Sequence, residues 1–217
     1  MKILYLQASS KDVEISTSKQ VGNELLKYLI KNIDEDVTVK TIDMYNYYIP
    51  LPKASYFTSR ASLVKDKDFE NLNEEEKKDV RIMEELCDMF LEADIILLAY
   101  PMWSLSFPSI VKRYLDCIIL NNKLIEIDND KVNGLLKDKK RIFICVQSSG
   151  ADYPVLLSKF LNHGISYLKE VFLFLGVDKF IPILVEGTEQ SNIGKEEAIE
   201  KSRGEFSSTL KKIKEIF

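Results

Sequence analysis

The chain is poor in the residues that build metal sites and hydrolytic triads. It has one histidine, His163, and three cysteines, Cys87, Cys117 and Cys145, with no C-x-x-C pair. Transition-metal sites need clusters of such ligands, so no metal is expected, and a Ser-His-Asp hydrolase would rest on His163 alone. The cysteines lie among apolar residues, Cys145 within Ile142-Phe143-Ile144-Cys145-Val146, and read as buried small hydrophobes rather than reactive thiols. Lys and Arg (30) are outnumbered by Asp and Glu (34), for a formal net charge of -4, and no basic cluster occurs. That excludes a nucleic-acid partner, which requires a basic face against phosphates. The longest mostly apolar runs, Ile95 to Ala99 and Val171 to Val177, fall far short of the roughly 18 residues that would span a bilayer, so no membrane segment is expected. Met1-Lys2-Ile3-Leu4-Tyr5-Leu6 runs directly into a strand-like segment without the layout of a signal peptide, and a cytoplasmic location is expected.

Several nucleotide motifs are missing too. Gly194-Lys195 is followed by Glu196, so no phosphate loop of the nucleoside triphosphatases is present. No G-x-G-x-x-G follows the first strand, which argues against a tightly held dinucleotide. That strand also ends without Asp or Glu, which disfavours the acidic pocket of a response regulator.

What is present is an alternation of strands and helices. Five apolar runs, Lys2 to Leu6, Val37 to Ile42, Ile95 to Tyr100, Arg141 to Val146 and Phe180 to Val185, read as strands. Helical patterns lie between them: Val21, Leu25 and Leu29 share one face of Ser18 to Asn32. Asn73 and Glu76 form a capping-box signature ahead of Val80, Met83, Cys87 and Phe90. Pro108 suits the first turn of a helix carrying Val111, Tyr114, Leu115 and Ile118, and further helices are expected over Leu156 to Leu175 and Lys195 to Phe217. At 217 residues, the chain is expected to be a single α/β domain spanning 1–217, with five parallel strands in the order 2-1-3-4-5 and helices on both faces. Pro182 cannot donate to a ladder, which places the fifth strand at an edge. Residues 50–73 and 121–140 are two long irregular insertions.

Three loops carry the candidate chemistry. Ser9 and Ser10, followed by Ser16, Thr17 and Ser18 at a helix start, form a hydroxyl-rich loop of the kind that holds a terminal phosphate. A cap at Ser16 or Thr17 explains part of the same pattern equally well. After the third strand, Pro101, Met102, Trp103, Ser104 and Leu105 belong to an uncharged, aromatic-bearing stretch. Such a surface suits a flat ring such as a flavin, or packing on protein or a second subunit. After the fourth strand, Gln147, Ser148, Ser149 and Gly150 offer small residues and amides that could approach the edge of a ring, or simply a turn.

With these loops assembled, the sequence resembles the FMN-dependent NADH azoreductases and the related flavodoxin-like NAD(P)H quinone reductases, over nearly the whole chain. Ser9-Ser10 with Ser16-Thr17-Ser18 matches the phosphate loop of that family, and Pro101-Met102-Trp103-Ser104-Leu105 its flavin loop. Gln147-Ser148-Ser149-Gly150 matches its ring-edge loop, and Glu186-Gly187 is a further signature. The resemblance implies a flavodoxin-like fold, bound FMN, NADH or NADPH as co-substrate, quinone or azo acceptors, and a homodimer. It also implies a two-electron ping-pong cycle carried by the cofactor, without an obligatory side-chain acid; Tyr153 or water would supply a proton. Ser104 stands where the family usually has Asn, and Leu124-Ile125-Glu126-Ile127 where it tends to carry aromatics, so substrate preference is where this chain departs. The alternative reading is a flavodoxin-like electron carrier that docks to protein partners.

Overall fold

A computed structural model describes residues 1–129, 131–152, 161–191 and 194–217. Five parallel strands form the central sheet: β1 (Lys2–Gln7), β2 (Thr38–Asp43), β5 (Ile95–Pro101), β8 (Ile142–Ser148) and β9 (Lys179–Val185), in the order β2-β1-β5-β8-β9. This is the expected 2-1-3-4-5 arrangement, and β9, with Pro182, lies at an edge. Strands β1, β5 and β8 alternate their buried residues between two apolar layers, whereas the edge strand β2 buries only Ile42. Leu4, Leu6, Ile96, Leu98, Phe143 and Cys145 face α3 (Glu74–Glu92), α4 (Ser109–Ile118) and α5 (His163–Leu175). Ile3, Tyr5, Ile95, Leu97, Ile142 and Ile144 face α1 (Thr17–Asn32), α6 (Gly194–Arg203) and α7 (Glu205–Lys214). Strands buried on both sides are what allow near-continuous apolar runs here. In the first layer Phe172 stacks on Phe143 with centroids 4.0 Å apart and on Phe90 at 5.6 Å, tying α3, α5 and β8 together.

The expected capping box at Asn73 and Glu76 is present. Other expectations shift. Pro108 is the N-cap of α4 rather than a first-turn residue, with ψ 146°. The C-terminal helix is two helices, divided at Gly204. The insertions contain two short hairpins, β3 (Phe57–Ser59) with β4 (Ser62–Leu63) and β6 (Ile125–Asp128) with β7 (Lys131–Gly134), and a short helix, α2 (Asp66–Glu70). Among the expected loop residues, Pro101, Gln147 and Ser148 continue the ladder, with Tyr100 opposite Gln147 and Pro101 opposite Ser148. Part of the expected helix over Leu156 to Leu175 lies outside the described residues; its C-terminal portion is α5. All three cysteines are buried and unbridged, and burial pushes each thiol up to about 12. Among the described residues no helix is long and apolar enough to cross a membrane.

Candidate functional site

Parallel strands direct their carboxyl ends, and the loops that follow, to one edge of the sheet. There the loops after β1, β5, β8 and β9 enclose a cavity of about 220 Å³, lined among others by Ser9, Lys11, Ser16, Thr17, Pro101, Met102, Trp103, Ser148, Ser149 and Gly150. A larger groove of about 540 Å³ runs along β2 and α3. It collects Glu84, Glu85, Asp88 and Glu92 beside Lys2, Lys40 and Arg81, and contains none of the strand-end loops.

One end of the smaller cavity gathers hydroxyls and free helix-start N–H groups. Ser16 caps α1, its Oγ accepting from the Lys19 N–H, and the helix has no acidic residue in its first turn. The N–H groups of Thr17 and Ser18, like those of any first helical turn, have no intrahelical acceptor. The chain reaches that cap through a tight turn in which the N–H groups of Ile15 and Ser16 both donate to the Asp12 carbonyl, at 3.1 and 2.8 Å. Ser9 Oγ accepts from the Lys11 N–H at 3.3 Å. The Lys11 side chain is exposed and makes no ion pair among the described residues. Gly22 lets α1 lie close to the sheet: a Cβ there would run into the Tyr5 ring and hydroxyl and the Ala99 Cβ.

The other end is apolar and geometrically constrained. Trp103 and Ser106 exchange two backbone hydrogen bonds of 2.9 Å, closing a two-residue turn in which Ser104 (φ 48°) and Leu105 (φ 62°) are both left-handed. That is the type I′ pattern, for which Asn and Gly are the favoured residues; L-residues there each cost about 1–2 kcal/mol. The turn projects Trp103 at 44% exposure. Its base is fixed to the neighbouring strand by the Met102 N–H donating to the Ser148 carbonyl at 2.7 Å. The loop after β9 closes the third side: Thr188 donates to the Ser149 carbonyl through both N–H and Oγ1, and the Glu189 N–H donates to Gly150.

The residues named from sequence thus divide. Ser9, Ser16, Thr17, Pro101, Met102, Trp103, Ser148, Ser149 and Gly150 meet around the cavity. Ser10 is exposed beside it, and Ser18 is fully buried behind Ser16, their hydroxyls 3.3 Å apart. Ser104 and Leu105 form the turn rather than the lining. The Gln147 amide is turned into the core, bonded to the Tyr100 hydroxyl and to Asn162. Tyr153 lies outside the described residues. Sequence reasoning missed Lys11, Ile15, Thr188 and Glu189 as lining residues; the last two follow directly on Glu186-Gly187, which was a signal.

A family model described as flavodoxin-like fold matches residues 1–210. The FMN-dependent NADH:quinone oxidoreductase 1 of Clostridium acetobutylicum is 40% identical over 212 residues, covering 98% of this chain and 96% of that protein. The FMN-dependent NADH:quinone oxidoreductase of Ruminiclostridium cellulolyticum is 39% identical over 212 residues, covering 98% and 99%. A crystal structure of an FMN-dependent NADH-azoreductase from Bacillus anthracis in complex with FMN superposes with a TM-score of 0.83 at 22% identity, covering 98% of this chain and 99% of that one, a likeness of fold. The chain therefore belongs to the flavodoxin-like fold family, in the group of the FMN-dependent NADH:quinone oxidoreductases.

Proposed function

We propose that this chain binds FMN and transfers two electrons from NADH to quinones or azo compounds. The observation that carries the reading is the polarity of one cavity: hydroxyls, first-turn N–H groups and Lys11 at one end, Met102 and Trp103 at the other. The residues fit the cofactor. Ser9, Ser10, Ser16, Thr17 and Ser18, with Lys11, would hold its phosphate by charge-assisted hydrogen bonds, Ser10 and Ser18 by their backbone or by small rotations. Pro101 to Leu105 would cover the ring, and Ser148, Ser149 and Gly150, with the backbone of Gln147, would border its edge. When bound, FMN supplies the hydride chemistry. The protein's own part is to bind the phosphate, orient the ring and keep one face open for a second planar molecule.

A cavity of about 220 Å³ is smaller than the roughly 300–1,000 Å³ of sites that enclose a whole ligand, so a ring would extend past it over the exposed Trp103. That supports a homodimer in which a second copy closes the site. Among the described residues the cavity lining holds no Lys or Arg besides Lys11, and the relatives are named for NADH, which together support NADH over NADPH as the donor. Three buried, unbridged thiols suit a reducing, cytoplasmic compartment. Titration with FMN, FAD and riboflavin, followed by turnover with NADH and a quinone, tests the reading. FMN should bind best and the loaded protein should turn over many equivalents of free quinone. Equal affinity for riboflavin would overturn the phosphate assignment, and reduction without turnover of small acceptors would favour the electron carrier.

A further inference from the structure

The turn that carries Trp103 is held from outside. Ser104 and Leu105 disfavour its left-handed backbone, and what pins them is the start of α5: the His163 N–H donates to the Leu105 carbonyl at 2.9 Å. That helix start is itself fixed to the sheet. Asn162 caps α5, its Oδ1 accepting from the Ile165 N–H at 3.1 Å. The same side chain forms a two-way amide pair with Gln147 of β8. Gln147 Nε2 donates to Asn162 Oδ1 at 3.0 Å, and Asn162 Nδ2 donates to Gln147 Oε1 at 2.5 Å. Gln147 Nε2 also donates to the Tyr100 hydroxyl at 3.0 Å, which secures the amide to β5. The pair is dry, with Gln147 2% and Asn162 6% exposed, so neither amide can exchange its partner for water. Close packing joins helix to turn: a Cβ on Gly164 would stand 3.2 Å from Phe107 N, the Ser106 carbonyl carbon and the Tyr100 hydroxyl.

We propose that Asn162 and Gln147 are positioning residues, whose buried amide pair holds the left-handed turn at Ser104 and Leu105 and so sets where Met102 and Trp103 stand in the cavity. The inference needs the FMN reading only where FMN serves as a probe. Trp103 is the one tryptophan of the chain, so its emission reports the turn in flavin-free protein.

The test is a double-mutant cycle between Asn162→Ala and Leu105→Gly, since glycine adopts the turn without outside support. In the parent background Asn162→Ala should shift Trp103 emission to the red and increase its quenching by acrylamide. It should weaken FMN and riboflavin by the same factor, about tenfold, because the wall of the ring site moves and the phosphate cradle does not. In the Leu105→Gly background the same change should alter binding less than about twofold. Should Asn162→Ala fail to fold, Asn162→Ser keeps the cap and loses the return bond to Gln147, and the same cycle applies. Unchanged Trp103 emission, or an equal effect in both backgrounds, overturns the proposal. A parent protein that binds no FMN while the emission results hold would overturn the functional reading and leave this one standing.

Discussion

Lys19 Nζ lies 2.8 Å from Asp43 Oδ2, joining the first turn of α1 to the end of β2. The lysine side chain is 4% exposed and the aspartate 24%, so the cation is the more deeply buried partner. Burial raises the Asp43 carboxyl, but the Lys19 ammonium, the Tyr45 N–H and the Asn46 amide outweigh it and hold the group below the ordinary carboxylate range. Removing the anion leaves a buried charge uncompensated, whereas removing the cation leaves a carboxylate that still has two donors. Asp43→Asn should therefore cost about 2–3 kcal/mol and Lys19→Met about 1 or less. Because the folded-state pKa is depressed, this contribution is complete above the unfolded aspartate value of 3.8 and is lost as pH falls through the folded value. Chemical denaturation of both variants checks it; equal losses would show that burial does not rank the two.

Lys11 supplies a full positive charge where α1 supplies a partial one. A charge-assisted hydrogen bond contributes about 1.5–3 kcal/mol, so Lys11→Met should weaken FMN by roughly ten- to a hundredfold. Riboflavin, which lacks the phosphate, should bind the variant as it binds the parent. The loss should shrink as ionic strength rises, because Lys11 is exposed and screened. A matching loss for riboflavin would mean that the lysine acts on the loop and not on the phosphate.

Glu186, at the end of β9, has a buried Oε1 with no hydrogen-bond partner among the described residues. Burial raises its carboxyl, the nearby Asp152 raises it further, and Lys201 only partly offsets them. A raised folded-state pKa means that the unfolded chain ionises first. Stability falls as pH rises from the unfolded glutamate value of 4.5 through the folded value, and the penalty is full above that. Glu186→Gln should thus raise the Tm at neutral pH and remove this fall from the pH profile. A variant that loses stability equally at pH 4 and pH 8 would show that the side chain acts by packing alone.

What the sequence made legible follows from how local each signal is. The central strands stood out because both of their faces are apolar, β2 only through its β-branched residues, and Pro182 marked the edge because its missing N–H is a local fact. Asn73 and Glu76 announced a helix start for the same reason. The hairpins at 57–63 and 125–134 went unseen: strands of two to four residues leave no period to detect. In the site, Ser16 and Trp103 were readable from composition and position, while Lys11 was not, since a lysine in a polar loop has the same appearance whether it faces solvent or an anion. Gln147 was expected in a loop with its amide toward the ring edge, but it belongs to β8 and its amide is bonded in the core. Its partners lie 15 and 47 residues away: the β5–β8 ladder sets Tyr100 opposite it, and the start of α5 brings Asn162 to it.

The backbone bonds among the site loops bear on kinetics. The loops holding Met102 to Leu105 and Ser148 to Gly150 are cross-bonded, Met102 to Ser148 and Ser149 to Thr188, and on the proposed FMN reading they would back one face of the ring and leave the other for a second planar molecule. NADH and a quinone would then compete for the same exposed face beside Trp103. Donor and acceptor should exclude one another, and initial rates at several fixed quinone concentrations should give parallel double-reciprocal lines. High quinone should inhibit competitively against NADH. No haem or iron–sulfur ligand set is found in the sequence, so electrons should leave in pairs and turnover should release hydroquinone with little semiquinone signal. Intersecting lines would require two open faces, and a wall at 101–105 that moves away during turnover. That outcome would also predict that Leu105→Gly, which changes the stiffness of the turn, alters kcat more than the affinity for either substrate.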